Sequence, residues 1–217
     1  MFTHDRLKDR HREIRDELPQ AVSLRTHRAL SWLRRADAEQ ADADARFIFL
    51  WIAFNAAYAN EIHDRASFGE RRLLTAFLQH LTEVDGEQLL YRTVWEQFPR
   101  AIRLLIDNRY VFQPFWDYKN GRLDEAELQQ RFQASKEAAY RALGRMDTKK
   151  VLAIVFGRLY VLRNQLVHGG ATWNSKVNRD QLRDGVDIMA RLVPIIIYLM
   201  MQHPKRFIGE PCYPVVD

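Results

Sequence analysis

Cysteine is nearly absent from this 217-residue chain, which holds one, Cys212. Without a second thiol no internal disulfide can form, and a cytoplasmic localisation is expected. Long apolar runs are missing too. The longest, residues 192–201, has ten residues, where a membrane-spanning helix needs roughly 18 or more. It reads as a buried core helix, and no membrane partner is expected. The start, Met1-Phe2-Thr3-His4-Asp5-Arg6, goes straight into charge and predicts no signal peptide. Alternating β-branched runs are scarce, which argues against strands. No glycine-rich phosphate loop and no nucleophile elbow occur.

What remains is helical periodicity. The chain is 47% hydrophobic and 28% charged, ordinary values for a globular protein long enough to bury a full core as one domain. The net charge of +5 favours polyanionic partners only weakly. Arginines outnumber lysines 26 to seven. Guanidinium suits two-point phosphate contacts, although genome base composition produces the same bias.

Helices are predicted over 4–18, ended by Pro19, and over 20–35. A third, over about 44–62, carries Phe47, Trp51, Phe54 and Tyr58 on one core stripe, with Asn55 as a polar residue expected to bond to a neighbouring helix. Ser67 and Glu70 have capping-box spacing for a helix through 81. Further helices are predicted over 87–106, bent at Pro99, over 124–143, over 149–167 and over 178–202, kinked at Pro194. The aromatic stretch 110–118 reads as a loop or short helix.

Chemistry concentrates at Arg163-Asn164-Gln165-Leu166-Val167-His168, which closes a helix and meets Gly169-Gly170. At about 100° per residue, Asn164 and His168 share one face, which Tyr160 continues. Imidazole titrates near neutrality and can act as general base or acid, whereas the guanidinium stays charged and clamps phosphate oxygens. No metal is needed when the substrate brings its own nucleophile, as RNA does with its 2′-hydroxyl. The bland alternative is that Arg163 and His168 are helix-end cations complementing the dipole.

This segment resembles the HEPN superfamily, whose signature is Arg, four to six residues, then His, often with Asn directly after the Arg. Ser31-Trp32-Leu33 together with residues 46–58 is similar to the early helices of bacterial members. Residues 67–149 carry no resemblance. The resemblance implies an all-α fold, an up-and-down HEPN-like helical bundle of about four or five helices with additional helices in the middle of the chain. It implies one domain over 1–217, with room for a helical insertion at about 67–145. It also implies a homodimer whose paired motifs face a shared cleft, and metal-independent endoribonuclease activity without cofactors, in some members as toxins or in phage defence. His168 would then move the proton, Arg163 would hold the scissile phosphate, and Asn164 would orient one of these groups. RNA is the expected partner, and a protein antitoxin is a further one that the resemblance admits. Members without catalysis bind RNA, nucleotide or a protein partner, which is the alternative function. Gly170 stands where some toxins carry a modified tyrosine, so regulation through that residue is not expected.

Secondary candidates are weaker. Tyr160, Trp173, Lys149 and Lys150 could bind substrate, Trp173 by stacking on a base. Core cover for Trp173 and a solvated helix end for the lysines are the favoured explanations. Arg71-Arg72 could line the same path. His80 and Glu83 stand three apart on a helix but have no companion ligands, so no metal site is assigned.

Overall fold

The computed structural model describes residues 2–58, 67–176 and 179–209, with the side chains of 67–72 left out of the description. It is all-helical, and no strand occurs among the described residues. Cys212, the proline-rich tail beyond residue 209, the Ser67–Glu70 capping side chains and Arg71-Arg72 lie outside the residues or side chains described. The chain divides into two compact units, residues 1–90 with 186–217, and residues 91–185.

In the first unit, α1 (His4–Ile14) ends earlier than the charge pattern predicts, and a turn fills the space before Pro19. Thr3 caps it through the Arg6 N–H. Pro19, with no N–H to lose, precedes α2 (Gln20–Ala38). Asp42 accepts from the Ala45 N–H at 3.0 Å and opens α3 (Ala43–Tyr58). α2 and α3 form a closely packed hairpin. The predicted stripe Phe47, Trp51, Phe54 and Tyr58 is buried, and Phe54 stacks on Tyr58 with centroids 5.2 Å apart. Asn55 is only half buried and makes no hydrogen bond among the described residues, so the expected interhelical bond does not form there.

α4 (Ser67–Val84) places Phe77 against Phe54 and Phe207. The last helix, Arg179–Gln202, passes through Pro194 without a break. Glu83, considered above as a ligand, instead pairs with Arg206 and accepts from Gln79.

Periodicity also conceals a buried cation in this unit. Arg25 is 1% exposed and occupies a core position in register with Val22, Ala29 and Leu33. Its Nε donates to the Ala57 carbonyl at 3.1 Å and its Nη1 to the Phe207 carbonyl at 2.8 Å. A guanidinium thereby satisfies a carbonyl of the last turn of α3, a group that helix geometry leaves without an intrahelical partner.

His11 is also buried. Its Nε2–H donates to the Ser23 carbonyl at 3.2 Å. Desolvation holds its pKa below the ordinary histidine range, and Lys8, His27 and Arg15 add to this effect. On acidification the unfolded chain therefore binds a proton before the folded one, and stability falls as pH drops from about 6.5 toward the lowered folded value. His11→Gln should flatten the pH dependence of the urea midpoint between pH 7 and 5. An unchanged slope would assign that dependence to other groups.

In the second unit the predicted 87–106 helix is broken by its own sequence. α5 (Leu89–Arg92) runs into a π-helical turn over Thr93–Gln97, and α6 (Pro99–Asp107) restarts with Pro99 at its first turn. Pro99 cannot donate the hydrogen bond that a continuous helix requires. The aromatic stretch forms a 3₁₀ turn (Arg109–Val111) and α7 (Gln113–Lys119). A full capping box of Asp124 and Glu127 starts α8 (Glu125–Gly144). Asp147 starts α9 (Thr148–Val167) by accepting from Lys150 N–H at 3.0 Å. α9 packs on α8 and α6 through Leu152, Val155, Phe156, Leu159 and Leu162, all buried.

Arg158 lies on that same stripe, 3% exposed, with its guanidinium 4.4 Å from the Phe112 ring centroid. Its Nη2 donates to the Ile106 carbonyl at 3.2 Å and Ser135 Oγ at 3.3 Å. Burial pulls its pKa down to about 10.

Candidate active site

α9 buries one face along most of its length, and its end is exposed. Val167 is 49% exposed, and His168, the C-cap residue, is exposed as well. The backbone leaves the helix there because Gly169 adopts φ +69°, a left-handed conformation in which a side chain costs energy. His168 N–H still bonds to the Asn164 carbonyl at 3.0 Å, and Ala171 N–H returns to the Gln165 carbonyl at 3.2 Å. A Cβ on Gly170 would stand 3.3 Å from that same Gln165 oxygen. The returning chain is therefore tight as well as turned.

Within this turn the three motif residues are arranged unequally. Arg163 Nη1 donates to Asn164 Oδ1 at 2.9 Å. Arg163 Nε is buried without a hydrogen-bond partner. Asn164 thus holds one edge of the guanidinium by a hydrogen bond of ordinary length. His168 stands one turn further, its imidazole making no hydrogen bond or ion pair among the described residues. The end of α9 offers a held cation and an open imidazole five residues apart, with no acid among residues 163–170.

The secondary candidates separate by position. Tyr160 is 36% exposed on the Asn164 face, and Trp173, just past the glycines, is 74% exposed. Lys149 and Lys150 begin α9, about 27 Å along the axis from His168 at 1.5 Å per residue, so the structure does not bring them to it.

The structure also adds groups that sequence spacing does not connect. Gln165 Nε2 donates to the Tyr110 carbonyl at 2.6 Å, and Trp116 Nε1 donates to the same oxygen at 2.8 Å. This docks the 3₁₀ turn and α7 beside the last turn of α9. The Arg109 guanidinium lies 5.2 Å from the centroid of Tyr110 and 5.5 Å from that of Phe115. Lys119 Nζ is 5.2 Å from the Tyr118 centroid. The Tyr110 hydroxyl is held below the ordinary phenol range by the hydrogen bond and charge of Arg109. Cations interleaved with aromatic faces are the kind of surface on which single-stranded nucleic acid stacks and is neutralised. The aromatic density of 110–118 was visible in the sequence; its docking on Gln165 was not.

No known family profile matches the chain, and no curated protein or solved structure matches it either. The functional reading therefore stands on the site itself. No group of three or more histidine, cysteine or carboxylate side chains that could hold a metal ion occurs among the described residues. No described helix is long and apolar enough to cross a membrane.

Proposed function

We propose that the protein is a metal-independent endoribonuclease of HEPN type, with Arg163, Asn164 and His168 as its site. The observation that carries this reading is the pairing of an Asn164-held Arg163 with a partner-free imidazole at the exposed end of α9. In the reaction the 2′-hydroxyl attacks the adjacent phosphorus and the P–O5′ bond breaks. A 2′,3′-cyclic phosphate and a 5′-hydroxyl result, without water entering. His168 takes the 2′ proton or supplies the one that O5′ needs, and Arg163 neutralises charge that builds on the phosphoryl oxygens. One imidazole performs one of these two transfers. A two-fold homodimer that brings two copies of the turn together supplies both, and the same pairing suits a toxin or phage-defence role.

The test is substrate chemistry. A cleaved RNA remade with a single 2′-deoxy nucleotide at the scissile position should resist cutting at that position while neighbouring sites stay sensitive. Cutting that continues at the deoxy position would exclude 2′-hydroxyl attack.

The cation-aromatic flank of Arg109, Tyr110 and Lys119 favours a second reading, a non-catalytic module that binds RNA. It predicts binding that weakens steeply with salt and no new RNA ends.

A further inference from the structure

The first unit holds a second concentration of chemistry, unrelated to the α9 turn. Residues of α1, of α2 and of the turn between them line an open cleft of about 450 Å³, among them His11, Arg15, Asp16, Ser23 and His27. The two imidazoles face each other with centroids 6.2 Å apart. Lys8 Nζ lies 3.2 Å from His27 Nδ1. Because an ammonium has only donors, Nδ1 accepts and the neutral His27 carries its proton on Nε2. His11 is fixed in turn by its Nε2–H bond to Ser23. Cations dominate the groups that act on these rings. Lys8 and Arg15 bear on both, His11 and His27 are close to each other, and Arg12 and Arg15 bear on Lys8. Of the acids nearby, Asp9 pairs with Arg12 at 3.1 Å, and Asp16, which also lines the cleft, stands 3.7 Å from Arg15.

We infer that the cleft between α1 and α2 is a binding site for a small tetrahedral dianion of the phosphate type. Its lining supplies the Arg15 guanidinium and the His27 Nε2–H, with the Lys8 ammonium behind that ring, 3.2 Å from His27 Nδ1, charges and a donor of the kind that such an anion requires. The repulsion within this set also defines how binding depends on pH. Desolvation and the neighbouring cations keep both histidines below their ordinary range in the empty cleft. A dianion reverses the sign of the local field and draws a proton onto His27, so affinity rises as pH falls. A divalent metal is disfavoured by the same cations.

Sulfate is the cleanest probe because its own charge is constant between pH 8 and 5.5. Imidazole resonances followed by NMR should shift saturably for His11 and His27, and affinity should strengthen by up to about tenfold per pH unit where one proton is taken up per anion. The Lys8→Gln/Arg15→Gln double variant alters side chains at the protein surface and should stay folded while weakening binding about tenfold or more. Inorganic phosphate and ribose 5-phosphate, compared at pH 7, distinguish a bare anion from an ester as the occupant by which binds tighter. Shifts reproduced by chloride at matched ionic strength, or sulfate binding that survives in the double variant, would overturn the site.

Discussion

Replacing His168 with alanine should lower RNA cleavage by about 10² to 10⁴-fold, the usual contribution of a positioned acid–base group. At 1.36 kcal/mol per factor of ten that is roughly 3 to 5 kcal/mol of transition-state stabilisation. Folding should hardly notice. His168 is an exposed C-cap residue with no side-chain partner among the described residues, and exposed substitutions of this kind stay within about 0.5 kcal/mol. Circular dichroism and the urea midpoint of the variant should therefore overlay those of the wild type while activity is lost. Asn164→Ala should have a smaller effect, because it frees the guanidinium edge held at 2.9 Å without removing the cation. Equal losses from both changes would mean that Asn164 itself touches the reacting atoms.

The largest expected effect on stability lies in the first unit. Arg25→Ala should cost about 2 to 6 kcal/mol, the range for two buried acceptors that lose their donors. The Ala57 and Phe207 carbonyls lose their guanidinium donors, at about 1–3 kcal/mol for each group left unsatisfied, and the truncation leaves a cavity besides. Against a total stability of about 5–15 kcal/mol, such a loss is close to unfolding the unit. Arg25→Met separates the two contributions, since it keeps most of the volume and loses only the donors. Urea denaturation of both variants measures them, and a midpoint unchanged in Arg25→Met would show that the carbonyls are satisfied by other means.

Arg25 and Arg158 also show where the sequence stops being legible. Helix existence follows from apolar spacing, so the α3 stripe and the α9 core residues are found where the periodicity puts them. The two arginines stand in register with those same stripes, at positions where a hydrophobic residue is the default. The rule that charge marks a solvent face hides them. Their register with the core was the available signal. The break at Pro99 was legible as a bend, but the π-helical turn before it depends on Phe98 N–H bonding to the Thr93 carbonyl, a choice that spacing does not dictate. At the candidate site, the shared face of Asn164 and His168 follows from the helical pitch. The Asn164 bond to Arg163 does not, because it depends on side-chain rotamers. The Arg109–Tyr110 flank reaches Gln165 across 55 residues of chain, and no local pattern encodes that approach. Lys149 and Lys150 stand at the other end of the same helix from His168, a separation that follows from helix length rather than from charge.

The measurement that bears most directly on the central claim is end-group analysis of a labelled RNA panel incubated with wild type and His168→Ala in excess chelator. Chelator-resistant cutting that leaves 2′,3′-cyclic phosphate and 5′-hydroxyl ends, and that disappears in the variant, is the predicted result. Cutting that persists undiminished in a folded His168→Ala protein, or that leaves 3′-hydroxyl ends, would contradict it.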